Sequence, residues 1–360
     1  MGLIIIKNHR LTFDQIKNGN WPSLSSYFEA SLNFCKDWLN EKQNFQLQTS
    51  GSTGKPKIIP VTRRQMQYSA EATGKFFALQ TDAQLLCCLN TSMIAGKMML
   101  VRAMVWNCTL FLEEPSGTPL ENFPKDQSFD FVAMVPAQIE NCLLNNKAVC
   151  MLQNIANLII GGAPLSQQTQ QAISQLPCKA YQTYGMTETV SHIALAKITG
   201  KPPLVYRSLP GVKISTTPSG QLTIDAPMAL ETLITNDIVE IISENQFVWK
   251  GRADFTINSG GIKIQPEILE AKISPIMAKY LPQSRYFISG RPSKKWGEEI
   301  ILIVESSPSG QLEKTLNDAI ALVAGKYEKP KKIYFLENFT ETPSGKIKRK
   351  DNLKMVLEKP

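Results

Sequence analysis

The sequence predicts an α/β protein with a large, layered N-terminal domain that includes a β-rich subdomain, followed by a small α+β C-terminal domain. Three features support this prediction. Residues 84–183 alternate short apolar runs with longer mixed segments, as expected for strands and helices of a layered sheet. Residues 212–249 contain closely spaced apolar runs separated by turn signals, which is typical of a small β region. After Gly251 a second series of strand-like and helix-like segments begins.

The individual elements follow from these runs. Strands are expected in the layered region at residues 85–89, 109–112, 131–135 and 158–160, and in the β-rich region at residues 213–215, 222–224, 238–242 and 247–249. In the C-terminal region they are expected at residues 262–264, 285–289, 300–305 and 333–336. One helix should begin at Pro266 and another should span residues 312–324 before Gly325, since proline favours a first helical turn and glycine the position after the last. We therefore predict two domains, residues 1–253 and 254–360, that meet near Asp254.

Length and composition exclude several classes of protein. A chain of 360 residues, 43% of them apolar, is long enough for one or two cores. It has no apolar run of about twenty residues and no secretory signal, so we expect no membrane span and a cytoplasmic location. Seven scattered cysteines without a C-x-x-C pair argue against a disulfide framework or a zinc site. The only histidines, His9 and His192, exclude histidine-cluster chemistry, and the formal charge of +8 favours anionic partners.

The segment from residue 49 to residue 57 is suited to holding phosphate. Glycines let the backbone approach an anion closely, hydroxyls and amides supply donors, and lysines supply charge. It is not a Walker A loop, because two residues rather than four separate its glycines and a proline follows its first lysine. A flexible linker is the alternative. The candidate phosphate-binding residues are Thr49, Ser50, Gly51, Ser52, Thr53, Gly54, Lys55 and Lys57.

This segment resembles the phosphate loop of the adenylate-forming superfamily of acyl- and aryl-CoA synthetases, luciferases and adenylation domains. Later motifs of that family follow in the same order, up to residue 346. They are Gly161-Gly162-Ala163-Pro164 beside the adenine, Tyr184-Gly185-Met186-Thr187-Glu188-Thr189 around the adenine and magnesium, Asp237 at the ribose, Gly251-Arg252-Ala253-Asp254 at the hinge, and Pro343-Ser344-Gly345-Lys346 at the catalytic lysine.

The resemblance implies a role for each of these residues. Tyr184 would offer a flat face to the purine, Gly185 and Met186 would line it, and Asp237 would accept hydrogen bonds from the ribose hydroxyls. Arg252 would donate to the ribose or the α-phosphate. Glu188 would bind Mg²⁺, and Thr187, Glu188 and Lys346 would be the catalytic residues. Core packing for Tyr184, a turn for Asp237 and a basic tail for Lys346 are the alternatives.

The implied mechanism has two half-reactions in one site. A carboxylate attacks the α-phosphate of Mg-ATP while Lys346 stabilises the developing charge, and pyrophosphate leaves. The small C-terminal domain, mobile about the hinge residue Asp254, then turns so that the thiol of coenzyme A can reach the acyl-adenylate. ATP, Mg²⁺ and coenzyme A are therefore the expected cofactors and co-substrates, with a small carboxylic acid as the partner.

The identity of the acid depends on fewer residues. Ser191 and His192 resemble a variant found in o-succinylbenzoate-CoA ligases of menaquinone biosynthesis, in which the second position is usually glutamine. Arg102 could pair with the second carboxylate of a dicarboxylic substrate. It could equally be a surface or structural arginine, and His192 could be a satisfied core histidine. Only 48 residues precede the phosphate loop, so the resemblance implies a trimmed large domain.

Other functions remain open from the sequence. Another aryl- or acyl-CoA ligase would have the same motifs, and so would an enzyme that loads a carrier protein. The chain ends soon after Lys346 without an appended carrier domain, which favours coenzyme A as the acceptor. A nucleic-acid-binding protein would explain the charge of +8, but the sequence contains no recognisable reader motif. We therefore expect no nucleic-acid partner.

Overall fold

The structure is a computed structural model that describes residues 2–48, 58–282, 284–342 and 347–358. Its strands β1 to β20 are Leu3–Ile6, His9–Thr12, Asn44–Gln48, Ile58–Thr62, Gln84–Cys87, Thr109–Leu112, Phe129–Met134, Ile155–Ile160, Lys179–Gly185, His192–Lys197, Val205–Ser208, Lys213–Thr216, Gln221–Asp225, Leu233–Ser243, Gln246–Arg252, Ile257–Ser259, Ile262–Ile264, Tyr286–Ser293, Gly297–Glu305 and Lys332–Leu336. Its helices α1 to α10 are Phe13–Lys17, Ser26–Leu39, Arg63–Phe77, Ile94–Trp106, Pro136–Leu143, Asn146–Gln153, Gln167–Ser174, Pro266–Tyr280, Gly310–Val323 and Arg349–Leu357. Among the described residues, no helix combines the length and apolar character needed to cross a membrane.

Local sequence signals explain where several helices begin. Thr12 before α1 and Thr62 before α3 each form a capping box with a glutamine three residues later, Gln15 and Gln65. Such a box satisfies backbone donors that the first helical turn leaves without partners. Pro266 occupies the first turn of α8, as predicted, because its fixed φ suits that position.

A single thirteen-stranded sheet runs through the N-terminal part of the chain. Its order is β12-β13-β14-β15-β11-β10-β9-β8-β7-β5-β6-β1-β2. From β1 through β6, β5, β7 and β8 to β9 the neighbours are parallel. From β9 onward through β10, β11, β15, β14, β13 and β12 they are antiparallel. The β-rich region therefore continues the main sheet instead of forming a separate one.

Helices cover both faces of the parallel half. Buried side chains of α2, α3 and α4 pack on one face, and those of α5, α6 and α7 pack on the other. Successive residues of β7 alternate between the two cores: Phe131 belongs to the first and Val132 to the second. Both faces of the strand centres are buried, which is why runs such as residues 131–134 and 158–160 are apolar without interruption.

The C-terminal part of the chain forms a second sheet of its own. Strands β17, β16, β19 and β18 are antiparallel neighbours, and β20 pairs with β19 in parallel. Helices α8 and α9 pack on one face, and α10 packs on the other through Val356.

The predicted fold class is confirmed. Every strand expected in the two N-terminal regions and in the C-terminal region is present, and the two expected helices correspond to α8 and α9. No bounds had been predicted for the remaining elements, among them the short strand β16 and the last helix, α10. The division into domains at Asp254 remains a proposal.

Candidate active site

Three neighbouring parallel strands, β7, β8 and β9, end at the same edge of the large sheet. The loop of residues 161–164 follows β8 at this edge, and Tyr184 and Gly185 end β9. A Cβ atom on Gly161 would lie 2.4 Å from Oγ1 of Thr183, so glycine lets this loop approach β9 closely. The carboxyl ends of parallel strands are where α/β proteins bind ligands, and two predicted adenine motifs meet here.

Asp237 on β14 is the centre of a hydrogen-bonded cluster. Its Oδ2 accepts a hydrogen bond from the Tyr184 hydroxyl at 2.6 Å, and its Oδ1 accepts one from Nε1 of Trp249 at 3.0 Å. Its backbone N–H donates to Oγ1 of Thr235 at 3.0 Å. Burial, reinforced by Asp237, raises the pKa of the Tyr184 hydroxyl, which therefore keeps its proton and donates it.

The cluster holds the Asp237 carboxylate in place and uses only part of its hydrogen-bonding capacity. A carboxylate has about four lone-pair positions, so Asp237 can still accept from two ribose hydroxyls. The Tyr184 ring packs edge-on against Tyr206 and Phe247, with ring centroids 5.8 and 5.2 Å away. Tyr184 is thus a packed residue that also donates a hydrogen bond to the predicted ribose residue, and its role at the purine stays a prediction.

Glu188 lies in a short 3-10 helix, Thr187–Thr189, directly after Gly185 and Met186. It is exposed and makes no hydrogen bond or ion pair with another described residue. Among the described residues, no group of three or more acidic, histidine or cysteine side chains could hold a metal ion. A single carboxylate with water and phosphate oxygens is nevertheless a usual environment for Mg²⁺, and Glu188 fits it.

The backbone after this helix is strained. Val190 is fully buried and has φ +64° and ψ −48°, which is rare for a β-branched residue. The Thr189 hydroxyl makes contacts on both sides of the turn, with the carbonyl oxygens of Met186 at 3.0 Å and Ser191 at 2.8 Å. Glu188, the predicted magnesium ligand, and Ser191, predicted to contact the acid, are therefore held in one tight turn.

Arg252 forms an ion pair with Asp254, the predicted hinge residue. Its Nε and Nη2 donate to the two carboxylate oxygens of Asp254 at 2.9 and 3.2 Å. Its backbone N–H donates to Oε1 of Glu267, in the first turn of α8, at 3.3 Å. Arg252 is also opposite Asp237 in the β14–β15 register. The chain segment that leaves the large sheet is therefore tied to the predicted ribose site and to α8.

The three residues predicted to contact the acid lie together. Nη2 of Arg102, on α4, donates to Oγ of Ser191 at 2.9 Å and lies 3.4 Å from Nδ1 of His192. Nε2 of His192 lies 3.2 Å from Oγ1 of Thr73 on α3. His192 and Arg102 are both buried, with 6% and 2% of their surfaces exposed. The surface interpretation of Arg102 is therefore wrong, because α4 is buried on all sides along residues 98–103.

Arg102 is a buried cation that has no anionic partner within the described part of the chain. No carboxylate of the described residues forms an ion pair with it, and its Nε has no hydrogen-bond acceptor there. Its Nη1 donates to the weak acceptor Sδ of Met99, at 3.6 Å. Burial lowers the pKa of the guanidinium, but an arginine remains charged at neutral pH. An unpaired buried charge is costly, and an anionic ligand would relieve that cost.

Two predicted groups of residues lie outside the described part of the chain. They are the phosphate-loop residues Thr49 to Lys57 and the catalytic lysine Lys346. Three other residues of the site had not been predicted: Trp249, Thr73 and Glu267. Trp249 could have been noticed as a polar-tipped aromatic three residues before Arg252, whereas no local signal marks Thr73 or Glu267.

Comparisons with known proteins identify the family of the chain. Residues 34–218 of the chain match the family described as AMP-binding enzyme. A 2-succinylbenzoate–CoA ligase of Listeria innocua is 25% identical over 350 residues, covering 90% of this chain and 72% of the relative. A protein of the same name from Lactococcus lactis is 26% identical over 346 residues, covering 88% of this chain and 72% of the relative.

Two solved structures are also similar to this chain. A Dyadobacter fermentans protein described as acyl-CoA synthetase (AMP-forming)/AMP-acid ligase II-like is 36% identical, with a TM-score of 0.64 and coverage of 94% of this chain and 97% of that one. The o-succinylbenzoate coenzyme A synthetase of Bacillus subtilis, solved with its acyl-adenylate intermediate, is 20% identical with a TM-score of 0.67, covering 88% and 69%. That second likeness supports the fold alone. The predicted resemblance is confirmed, and the chain belongs to the AMP-binding enzyme family.

Proposed function

We propose that this enzyme is an ATP-dependent acid–thiol ligase that converts o-succinylbenzoate to its coenzyme A thioester in menaquinone biosynthesis, through an acyl-adenylate. Membership of the family supports the adenylation step, and the names of the relatives suggest the acid. The observation that carries the choice of acid is the buried guanidinium of Arg102, which forms no ion pair with any described carboxylate. o-Succinylbenzoate has two carboxylates, so one can be activated while the other pairs with Arg102.

In the proposed first half-reaction, the protein positions Mg-ATP and the acid for in-line attack on the α-phosphorus. Asp237, held by Tyr184 and Trp249, binds the ribose hydroxyls, and the loop of residues 161–164 lies beside the adenine. The phosphate loop, residues 49–57, would bind the phosphates. Lys346 would donate to the oxygens that gain negative charge in the transition state.

Glu188, with Thr187 beside it, would hold magnesium, which when bound neutralises phosphate charge during the transfer. Because Glu188 is exposed and forms no ion pair with a described residue, binding the ion breaks no ion pair within that part of the chain. Arg102, Ser191 and His192 would orient the acid so that its other carboxylate faces the nucleotide.

In the proposed second half-reaction, residues 254–360 turn about Asp254 and the thiol of coenzyme A attacks the mixed anhydride. AMP leaves and the thioester forms. The Arg252–Asp254 ion pair, with side chains 39% and 35% exposed, is partly open to water and can break at modest cost when the backbone there rotates.

The proposal is tested by measuring pyrophosphate and AMP release over a panel of acids, with and without coenzyme A. The panel contains o-succinylbenzoate and its two monocarboxylic analogues, benzoylpropionate and o-butyrylbenzoate. We expect efficient turnover only with o-succinylbenzoate, thioester formation only with coenzyme A, and loss of the first step in Lys346→Ala.

Arg102→Met tests the residue on which the choice of acid depends. Losing charge-assisted hydrogen bonds worth about 1.5–3 kcal/mol should raise KM for o-succinylbenzoate about 10- to 150-fold. Arg207→Met, which replaces an exposed arginine on β11, is the control and should leave KM unchanged. Equal turnover of the dicarboxylic and monocarboxylic acids would refute the assignment of o-succinylbenzoate, and no turnover of any acid would refute the ligase.

A further inference from the structure

A line of hydrogen-bonding groups extends behind the predicted acid site, from Arg102 through His192 to Thr73 and the backbone of α3. The hydroxyl of Thr73 donates to the carbonyl oxygen of Ser69, one helical turn earlier, at 2.9 Å. A threonine hydroxyl has one proton, so Thr73 can only accept at its contact with Nε2 of His192. Nε2 must therefore carry the imidazole proton.

The other side of the ring leads to the same tautomer. Nδ1 of His192 lies 3.4 Å from Nη2 of Arg102, and a guanidinium nitrogen can only donate. Nδ1 also lies 3.3 Å from the Ser191 hydroxyl, whose oxygen already accepts from Arg102 and whose proton is free to point at Nδ1. Nδ1 must therefore be an acceptor, in agreement with the contact at Thr73.

His192 is neutral as well as fixed in its tautomer. Burial first, and then the charge of Arg102, hold the pKa of His192 well below its ordinary range. The ring consequently adds no second positive charge beside Arg102. The lone pair of Nδ1 faces the guanidinium, and together with the Ser191 hydroxyl it orients Nη2 of Arg102. Nε of Arg102 has no acceptor among the described residues.

We propose that Thr73 is a positioning residue for acid recognition: it sets the tautomer of His192 and thereby orients the guanidinium of Arg102 toward the acid's second carboxylate. Without the acceptor at Thr73, the Nδ1-protonated tautomer becomes accessible, and its N–H would face the guanidinium. Arg102 would then move away from its orientation. This inference rests on the proposed function only for the identity of the acid, since the tautomer can be observed without turnover.

The first arm of the test is nuclear magnetic resonance of the full-length protein labelled with ¹⁵N in the histidine rings. The chain has two histidines, and His9, exposed on β2, supplies the internal reference. Long-range ¹H–¹⁵N correlations distinguish a protonated ring nitrogen from one with a lone pair. We expect wild-type His192 to be neutral and protonated at Nε2 at neutral pH. Protonation at Nδ1, or a charged ring, would overturn the proposal even if every variant failed to fold.

The second arm compares Thr73→Val, which removes the acceptor at almost constant volume, with Thr73→Ser, which keeps it. In Thr73→Val we expect a mixture of tautomers and about a tenfold increase in KM for o-succinylbenzoate, with little change in kcat. For benzoylpropionate, which lacks the second carboxylate, the same variant should change KM less than twofold. Thr73→Ser should restore both the tautomer and the KM.

The outcomes separate the two proposals. If no acid is turned over but the tautomer changes in Thr73→Val, the proposed function is refuted, whereas the conclusion that Thr73 sets the tautomer of His192 stands. If the tautomer is unchanged in Thr73→Val, or KM rises equally for both acids, the positioning role is refuted while the ligase is retained.

Discussion

Glu267 should make the stability of the enzyme depend on pH in a specific window. One carboxylate oxygen accepts from the backbone N–H of Arg252, while Oε2 is buried without a hydrogen-bond partner among the described residues. Burial raises the pKa of Glu267 from 4.5 to about 7, with Arg349 opposing the shift and Glu270 adding to it. Glu267→Gln removes the ionisable group and keeps the shape, so it isolates this effect.

The sign and the size of this pH dependence follow from the linkage between proton binding and folding. The folded-state pKa is raised, so between pH 4.5 and 7 the folded protein binds more protons than the unfolded chain does. The free energy of unfolding therefore falls as pH rises through this window. A shift from 4.5 to about 7 corresponds to at most about 3.5 kcal/mol, because each pKa unit is worth about 1.4 kcal/mol. The partial exposure of Glu267 reduces the value below this limit.

The measurement is urea denaturation at pH 5, 6, 7 and 8, followed by circular dichroism, for wild type, Glu267→Gln and the exposed control Glu337→Gln. Relative to wild type, Glu267→Gln should become progressively more stable from pH 5 to pH 8, by up to about 3 kcal/mol. Glu337→Gln should follow wild type throughout. Parallel pH profiles for wild type and Glu267→Gln would show that Glu267 ionises in the folded protein as it does in water.

Three further predictions concern the nucleotide side of the site. Trp249→Phe removes a 3.0 Å hydrogen bond to Asp237 and should raise KM for ATP about fivefold, equivalent to about 1 kcal/mol. KM for the acid should stay constant. An unchanged KM for ATP in steady-state assays would contradict this role of Trp249. Gly185→Ala places a Cβ atom 2.5 Å from the backbone of Ser191 and His192. It should lower the free energy of unfolding by about 1–3 kcal/mol in denaturation experiments. An unchanged stability would mean that β9 and β10 can separate to make room for the methyl group. Glu188→Gln should raise the Mg²⁺ concentration for half-maximal rate about tenfold, a loss of about 1.4 kcal/mol, and a magnesium titration that matches wild type would exclude Glu188 as a ligand.

The fold was largely predictable because its strands carry a strong local signal. Residues 110–112 and 158–160 are apolar without interruption because both faces of the parallel strands are covered by helices. The continuity of the thirteen-stranded sheet was not predictable, since strand pairing joins segments that are far apart in sequence. Local runs show that a strand exists and do not show which neighbour it has.

The site was predictable only where ordered motifs mark it. Tyr184 and Asp237 were identified from their motifs, but their direct hydrogen bond joins residues 53 positions apart. The contact between Thr73 and His192 spans 119 positions and leaves no trace in local patterning. Arg102 is the instructive case, because α4 has apolar residues on all sides, and this pattern could have indicated that the arginine is buried.

The strained turn at Val190 limits how the acid specificity of this enzyme can be changed. Glu188 lies two residues before Val190 and His192 two residues after it, with the Thr189 hydroxyl closing the turn between them. Inserting or deleting a residue here would displace the proposed magnesium ligand and the proposed acid-contacting residues together. New acid preferences should therefore come from exchanges of side chains at constant length, in natural divergence and in directed evolution alike.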